Sequence, residues 1–256
     1  MILQNNFVAK LAASNTRIDG RKLDEIRHIV IDSHPIDKAE GSALVKLGNT
    51  KVMAGVKLFV GQPFPDKPDE GVLMTSAEFS PISYSDFESG PPSEESIELA
   101  RIVDRGIRES NAIDMKKLCV KEGEKVWMVF IDINILDNFG NLIDASALAS
   151  AVALNQAVFP KYEDDKVIVT EKTKKKLPVT CTPIACTFVK VGSHVMIDPT
   201  LDEETASSCR LTISTKDDGN VCAMQKGGAG SLTMEDIERL LDLSVERGRE
   251  LRKLAK

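Results

Sequence analysis

Apolar and polar positions along this 256-residue chain alternate in short stretches separated by turns, and each series of such stretches ends in a longer helical pattern. Ile26 to Ile31 reads as a short strand following the charged turn Arg17-Ile-Asp-Gly-Arg21. Gly41 to Leu47 and Lys51 to Val60 flank Gly48-Asn49-Thr50, a strong hairpin signal. Pro63 to Glu70 carries three prolines and reads as a loop, Val72 to Phe79 as a further strand, and Ser80 to Ser93 as a connection. Ser93 is a suitable N-cap for a helix from Glu94 to Asn111, with Glu94 and Glu95 in its electropositive first turn. Val126 to Leu136 is apolar at nearly every residue, the pattern of a strand covered on both faces. Ala145 to Phe159, rich in Ala, Leu and Val, predicts a helix able to sit very close to its neighbour, ended by Pro160.

The second half repeats the style. Tyr162 to Leu177 is charged and lysine-rich, an exposed junction. Val179 to Val191 and His194 to Ile197 read as strands around Gly192-Ser193, and Arg210 to Thr215 and Val221 to Gln225 as a hairpin across Asp217-Asp-Gly-Asn220. Thr233-Met-Glu-Asp236 has the form of a capping box, opening a last helix whose packing face is Ile237, Leu240, Leu241, Val245, Gly248 and Leu251. Strands then helix, twice over, is an α+β pattern with two similar halves.

Composition narrows the class without naming a function. Hydrophobic residues at 42% and charged residues at 28% are ordinary for a globular protein able to bury a core without staples. No apolar run reaches the length of a membrane span and Met1-Ile-Leu-Gln-Asn-Asn lacks the basic start of a signal peptide, so a cytoplasmic protein without membrane contact is expected. Cys119, Cys181, Cys186, Cys209 and Cys222 form no CxxC pair and read as small hydrophobes in a reducing compartment; His28, His34 and His194 lack ligand spacing. No metal or cofactor is expected. A net charge of −6 means that any contact with nucleic acid comes from a local basic stripe or from a partner.

Four segments carry candidate chemistry. Asp137-Asn-Phe-Gly-Asn-Leu-Ile-Asp-Ala-Ser146 joins a strand to a helix, a common place for a phosphate site, yet after Gly140 and Asn141 it offers Leu142, Ile143 and the carboxylate of Asp144 where an anion wants Arg, Lys or hydroxyls. Arg101, Arg105 and Arg108 line one helix face at i, i+4 and i+7; this is either a solvated face, with Asp104 and Glu109 placed to pair with it, or a grip for phosphates. Asp198 to Glu204 is acidic, but its adjacent carboxylates Asp202, Glu203 and Glu204 diverge on any regular element, which favours an exposed loop over a metal or general-acid cluster. Gly227-Gly-Ala-Gly230 has no Lys-Ser/Thr after it and reads as a flexible turn.

Taken in order, Arg17-Ile-Asp-Gly-Arg21, Gly41-Ser-Ala-Leu-Val with Gly48-Asn-Thr50, Glu98-Leu-Ala-Arg101 with Asp104-Arg105, and the segment from Asp198 resemble the ribonuclease PH family from about residue 14 to the C-terminus. The resemblance is nearest to the non-catalytic ribonuclease-PH-like subunits of the archaeal exosome. It implies a ribonuclease PH-type fold (ribosomal protein S5 domain 2-like), two β/α halves with mixed sheets backed by helices: residues 14–160, a charged junction 161–178, and residues 179–256. It also implies a setting: phosphorolysis of single-stranded RNA from its 3′ end by a hetero-hexameric ring, a trimer of heterodimers. In that ring the chain alternates with a catalytic sister subunit, beneath RNA-binding cap subunits.

Against the family's catalytic members the chain departs in three places. The phosphate arginine position falls on Leu142 within Gly140-Asn141-Leu142-Ile143. Of two essential aspartates, the first position falls near Glu204 and the second near Arg210, and an arginine supplies no proton at neutral pH. The stretch Pro81 to Glu88 lacks the arginines with which catalytic members grip RNA. By the same resemblance Arg101 and Arg105, and more weakly Arg108, face the RNA path. The expected function is therefore a subunit with no catalytic residue of its own that structures the sister's active site and binds RNA. The alternative is an active phosphate-dependent 3′→5′ exoribonuclease with an atypical phosphate site.

Overall fold

Local sequence sets each reversal of the first sheet. At Gly48 the chain turns with φ +58°, and the hairpin closes with Leu47 opposite Thr50. The computed structural model describes residues 2–255. In chain order its elements are α1 (Ile2–Ala13), β1 (Ile29–Ser33), β2 (Gly41–Leu47), β3 (Thr50–Gly61), β4 (Val72–Phe79) and α2 (Glu94–Glu109). A short 3-10 turn (Met115–Leu118), β5 (Cys119–Lys121), β6 (Lys125–Asp137), α3 (Leu142–Gln156), β7 (Val158–Glu163) and β8 (Lys166–Lys176) follow. The remainder is β9 (Ile184–Val191), β10 (His194–Ile197), α4 (Leu201–Ala206), β11 (Cys209–Thr215), β12 (Val221–Gly227) and α5 (Met234–Leu254).

Strands β1-β2-β3-β6-β4 form one mixed sheet, antiparallel except for the parallel pair β4 and β6, with β5 paired to the end of β6. Strands β10-β9-β11-β12 form a second, antiparallel sheet. Helix α3 is the hub between them, packing across β2 and β3 on one side and β9 on the other. Its alanines permit that closeness: a Cβ on Gly41 would lie 2.1 Å from the carbonyl oxygen of Ala153. One continuous core joins Val52, Val56, Ile131 and Ile133 of the first sheet to Leu148 and Leu154 of α3 and to Phe188 and Ile213 of the second. The S5-like α+β architecture expected from the sequence is the one observed, including the Ser93 cap, whose hydroxyl accepts from the Ser96 N–H, and the Thr233–Asp236 capping box.

Several expectations need correction. Strand β6 is covered on one face only: Val129, Ile131, Ile133 and Ile135 are buried while Asp132 and Leu136 are exposed, because the helices stack on a single side of the sheet. The open side carries Phe59 and Phe130, edge to face with ring centroids 5.6 Å apart. Helix α3 begins three residues earlier than expected and ends at Gln156, so Pro160 does not stop it; Pro160 lies in β7, beside a register shift where its missing N–H is tolerated. Phe159 is held by Trp127, 5.1 Å between ring centroids, and that contact favours strand over helix. The charged stretch 161–178 is mostly strand, since β7 and β8 pair into a hairpin whose lysines stay exposed. Strand β1 starts at Ile29, not Ile26, and β9 at Ile184, not Val179. Helix α1 had no counterpart in the sequence reading; its Val8 and Ala12 pack on Val189, Val191 and Met196.

Candidate functional site: a self-occupied helix terminus beside an arginine-lined groove

Strand β6 delivers the chain into the turn that starts α3. Gly140 has φ +89°, and a Cβ there would sit 2.4 Å from the Leu201 nitrogen, so only glycine fits against the start of α4. Asn141 follows with φ +56°, a left-handed conformation that asparagine tolerates, and caps α3. Its backbone N–H, the donor that would face an anion at this helix end, points instead at the protein's own Glu204, 2.9 Å from Oε1. Its side-chain amide donates to Asp144 (2.9 Å) and to Asp198 (2.8 Å). Leu142 and Ile143 then line a cavity of about 360 Å³ together with Phe79, Phe87, Glu98, Glu204 and Arg210.

The acidic segment is not the exposed loop expected. From Leu201 onward it forms α4, capped by Thr200, in which Glu203 accepts from the Thr200 N–H at 2.7 Å and is buried against Arg17. Arg17 is itself buried, its Nε 2.8 Å from Glu203 Oε1 and its Nη1 2.8 Å from the Ile197 carbonyl oxygen. Arg27 reaches under the turn, donating to Asp198 at 2.7 Å and to the carbonyl oxygens of Phe139 and Gly140 at 3.0 and 3.1 Å. A cation is thus present near Gly140, on the carbonyl side of the turn, neutralised by Asp198.

Three carboxyls here feel opposite fields. Burial pushes Asp144 up to about 7 in spite of the bonds it accepts from Thr187 and Asn141. Burial likewise pushes Glu204 up to about 7, against the Asn141 N–H and the positive charges of Arg210 and Arg27. For Asp198 burial also raises the value, but the hydrogen bonds and charge of Arg27 outweigh it and hold the carboxyl below the ordinary range. Asp144 accepts from the Thr187 N–H at 2.9 Å and its hydroxyl at 2.7 Å, tying the first turn of α3 to β9.

Arg210, on β11, bridges to Glu98 on α2 at 2.6 Å. Along α2, Arg101 and Arg105 are exposed, and among the described residues neither has a hydrogen-bond or ion-pair partner. They line a groove of about 400 Å³ with Ile97, Glu98 and Gln225. Arg108 is drawn away from this pair: it is bound to both oxygens of Asp104, at 3.0 Å each, and donates to the Leu73 carbonyl oxygen. In the stretch 81–88, Phe87 stacks on Phe79 (4.6 Å) over the cavity, and the Ser83 carbonyl oxygen accepts from the Asn138 N–H. Arg17, Arg21 and Arg27 were not recognised as site residues from sequence, where the first two read as a charged turn and as part of a family motif with no role assigned to either. Their shared partner Asp198 lies more than 170 residues away, so no local spacing signals it.

Comparison with known proteins places this geometry. Residues 25–160 match domain 1 of the 3′ exoribonuclease family typified by ribonuclease PH, and residues 181–247 match its domain 2. The chain is 46% identical over 250 residues to the exosome complex component Rrp42 of Methanocella arvoryzae, covering 98% of this chain and 94% of that one. Among solved structures it superposes on a chain of the Archaeoglobus fulgidus exosome with RNA bound to the active site. There the TM-score is 0.92 and the identity 47%, covering 99% of this chain and 98% of that one. A chain of an archaeal exosome core gives a TM-score of 0.88 at 45% identity, covering 99% and 96%. The chain belongs to the 3′ exoribonuclease family of ribonuclease PH, with both of its domains.

Proposed function

We propose that this chain is a non-catalytic subunit of an archaeal exosome ring. In this reading it alternates with a catalytic sister, completes the sister's active site, and supplies Arg101 and Arg105 to the RNA being degraded. One observation carries the loss of catalysis: the helix end that would hold the attacking phosphate already holds the chain's own Glu204, 2.9 Å from the Asn141 N–H. Phosphorolysis needs a phosphate dianion there. Glu204 stands in the way of that anion: it already takes the Asn141 N–H, and in its ionised form it also repels the incoming negative charge. Leu142 and Ile143 add apolar surface where a cation is required, and Arg210 offers no transferable proton to the leaving 3′ oxygen.

RNA contact is supported by two unpaired guanidinium groups one turn apart on an exposed face, a spacing that suits successive phosphates. The likeness to a chain of an exosome structure with RNA bound to the active site supports the same setting. The rival, an active phosphorolytic nuclease, draws on Glu204, whose carboxyl near 7 has the value of a general acid. Incubation of the purified chain with end-labelled RNA, Mg²⁺ and phosphate separates the two. The non-catalytic reading expects no nucleoside diphosphate until the sister is added. Release by the chain alone, abolished in Glu204→Ala, would establish the rival.

A further inference from the structure

Arg210 occupies a place where, by the family resemblance, a catalytic carboxylate would be, and the loss of that carboxylate does not account for what the arginine does there. It spans from β11 to α2, its Nη2 2.6 Å from Glu98 Oε1. Glu98 precedes Arg101 by three residues, the distance at which opposite charges meet on a helix surface. It stands on the wall between the 360 Å³ cavity, where Arg210 lies, and the 400 Å³ groove lined by Arg101 and Arg105. Asp104, three residues beyond Arg101, is the other carboxylate within one turn, and it is held by Arg108 and by the Thr75 hydroxyl. Both acids that could neutralise Arg101 are thus bound by other arginines, and Arg101 is left open.

We propose that Arg210 is a positioning residue for RNA: by drawing the Glu98 carboxylate toward the C-terminal half it keeps Arg101 unpaired and available to a phosphate. The inference rests on the reading that Arg101 and Arg105 meet RNA. It assigns work to a position that catalysis has abandoned. Without Arg210, Glu98 turns to Arg101 and one phosphate contact is weakened.

The test is a double-mutant cycle on the assembled ring, its sister inactivated so that RNA is bound and not degraded, using a fluorescent single-stranded oligonucleotide at several salt concentrations. Arg210→Gln should weaken binding about two- to fivefold, the size of one exposed ion pair, and flatten the salt dependence by up to ~0.7 in log–log slope. Adding Glu98→Gln should restore affinity in that background while changing it much less in the parent ring. An equal effect of Glu98→Gln in both backgrounds would overturn the proposal, because Arg210 would then act only as a distant positive charge. So would an unchanged affinity in Arg210→Gln. If Arg210→Gln does not assemble, Glu98→Gln alone decides: a salt slope steeper by about one phosphate would mean that Glu98 already competes for Arg101. A ring carrying Arg101→Ala and Arg105→Ala serves as control; unchanged binding there defeats the RNA reading itself, whatever Arg210 does.

Discussion

Glu204 and Asp144 give the fold a pH signature of definite sign. Both are carboxyls that burial raises to about 7 from ordinary values of 4.5 and 3.8. Between those values the folded chain holds protons that the unfolded chain has released, so stability falls as pH rises and levels off above about 7. For Glu204, going from pH 6 to pH 8 should remove about 1 kcal/mol, because the proton held by the folded chain is given up across that range. Asp144 should remove a similar amount, so that together they are worth about 2 to 3 kcal/mol, roughly 5 to 10 °C in melting temperature for a chain of this size. Asp198 acts in the opposite sense but outside this window: its lowered pKa gives stability that is complete above the ordinary value and lost only in acid. Urea denaturation at pH 6, 7 and 8 should therefore show declining stability. Glu204→Gln or Asp144→Asn should each remove about half of the decline, and the pair nearly all of it. Stability that holds level or increases from pH 6 to 8, or a decline that survives in the double variant, would show that these two carboxyls do not carry the extra protons of the folded chain.

Other consequences follow from the same geometry. Arg17→Met strands the buried Glu203 carboxylate and the Ile197 carbonyl oxygen, and should cost about 3–5 kcal/mol in chemical denaturation. Gly41→Ala must push α3 off β2, since the new methyl would lie 2.1 Å from the Ala153 oxygen; a loss of about 1–3 kcal/mol, or misfolding, is expected in thermal melts. In the assembled ring, Arg101→Ala and Arg105→Ala should each reduce the salt slope of RNA binding by about 0.7. Arg108→Ala should change that slope less, because Asp104 already neutralises Arg108.

Elements specified by local chemistry were legible in the sequence. The Gly48 turn, the Ser93 cap and the Thr233 capping box each act within a few residues, and the boundaries they imply match the structure. Misreadings arose where tertiary packing overrides a local pattern. Strand β6 is apolar at both parities, yet only one side of its sheet meets helices. Pro160 has the look of a helix stop, while the Phe159–Trp127 contact has already turned the chain into strand. Within the site, Gly140 and the acidic segment could be named from sequence. The bond from Asn141 to Glu204 spans 63 residues, and Arg27 meets Asp198 across 171, separations that no periodicity records.

If the proposed function holds, phosphate and RNA are processed by the sister and never at the α3 terminus of this chain. The most direct measurement is nucleoside diphosphate release by a reconstituted ring in which the sister's catalytic carboxylate has been removed and this chain is intact. Such a ring should bind RNA and release nothing above background. Phosphate-dependent release from such a ring, lost on Glu204→Ala, would contradict it.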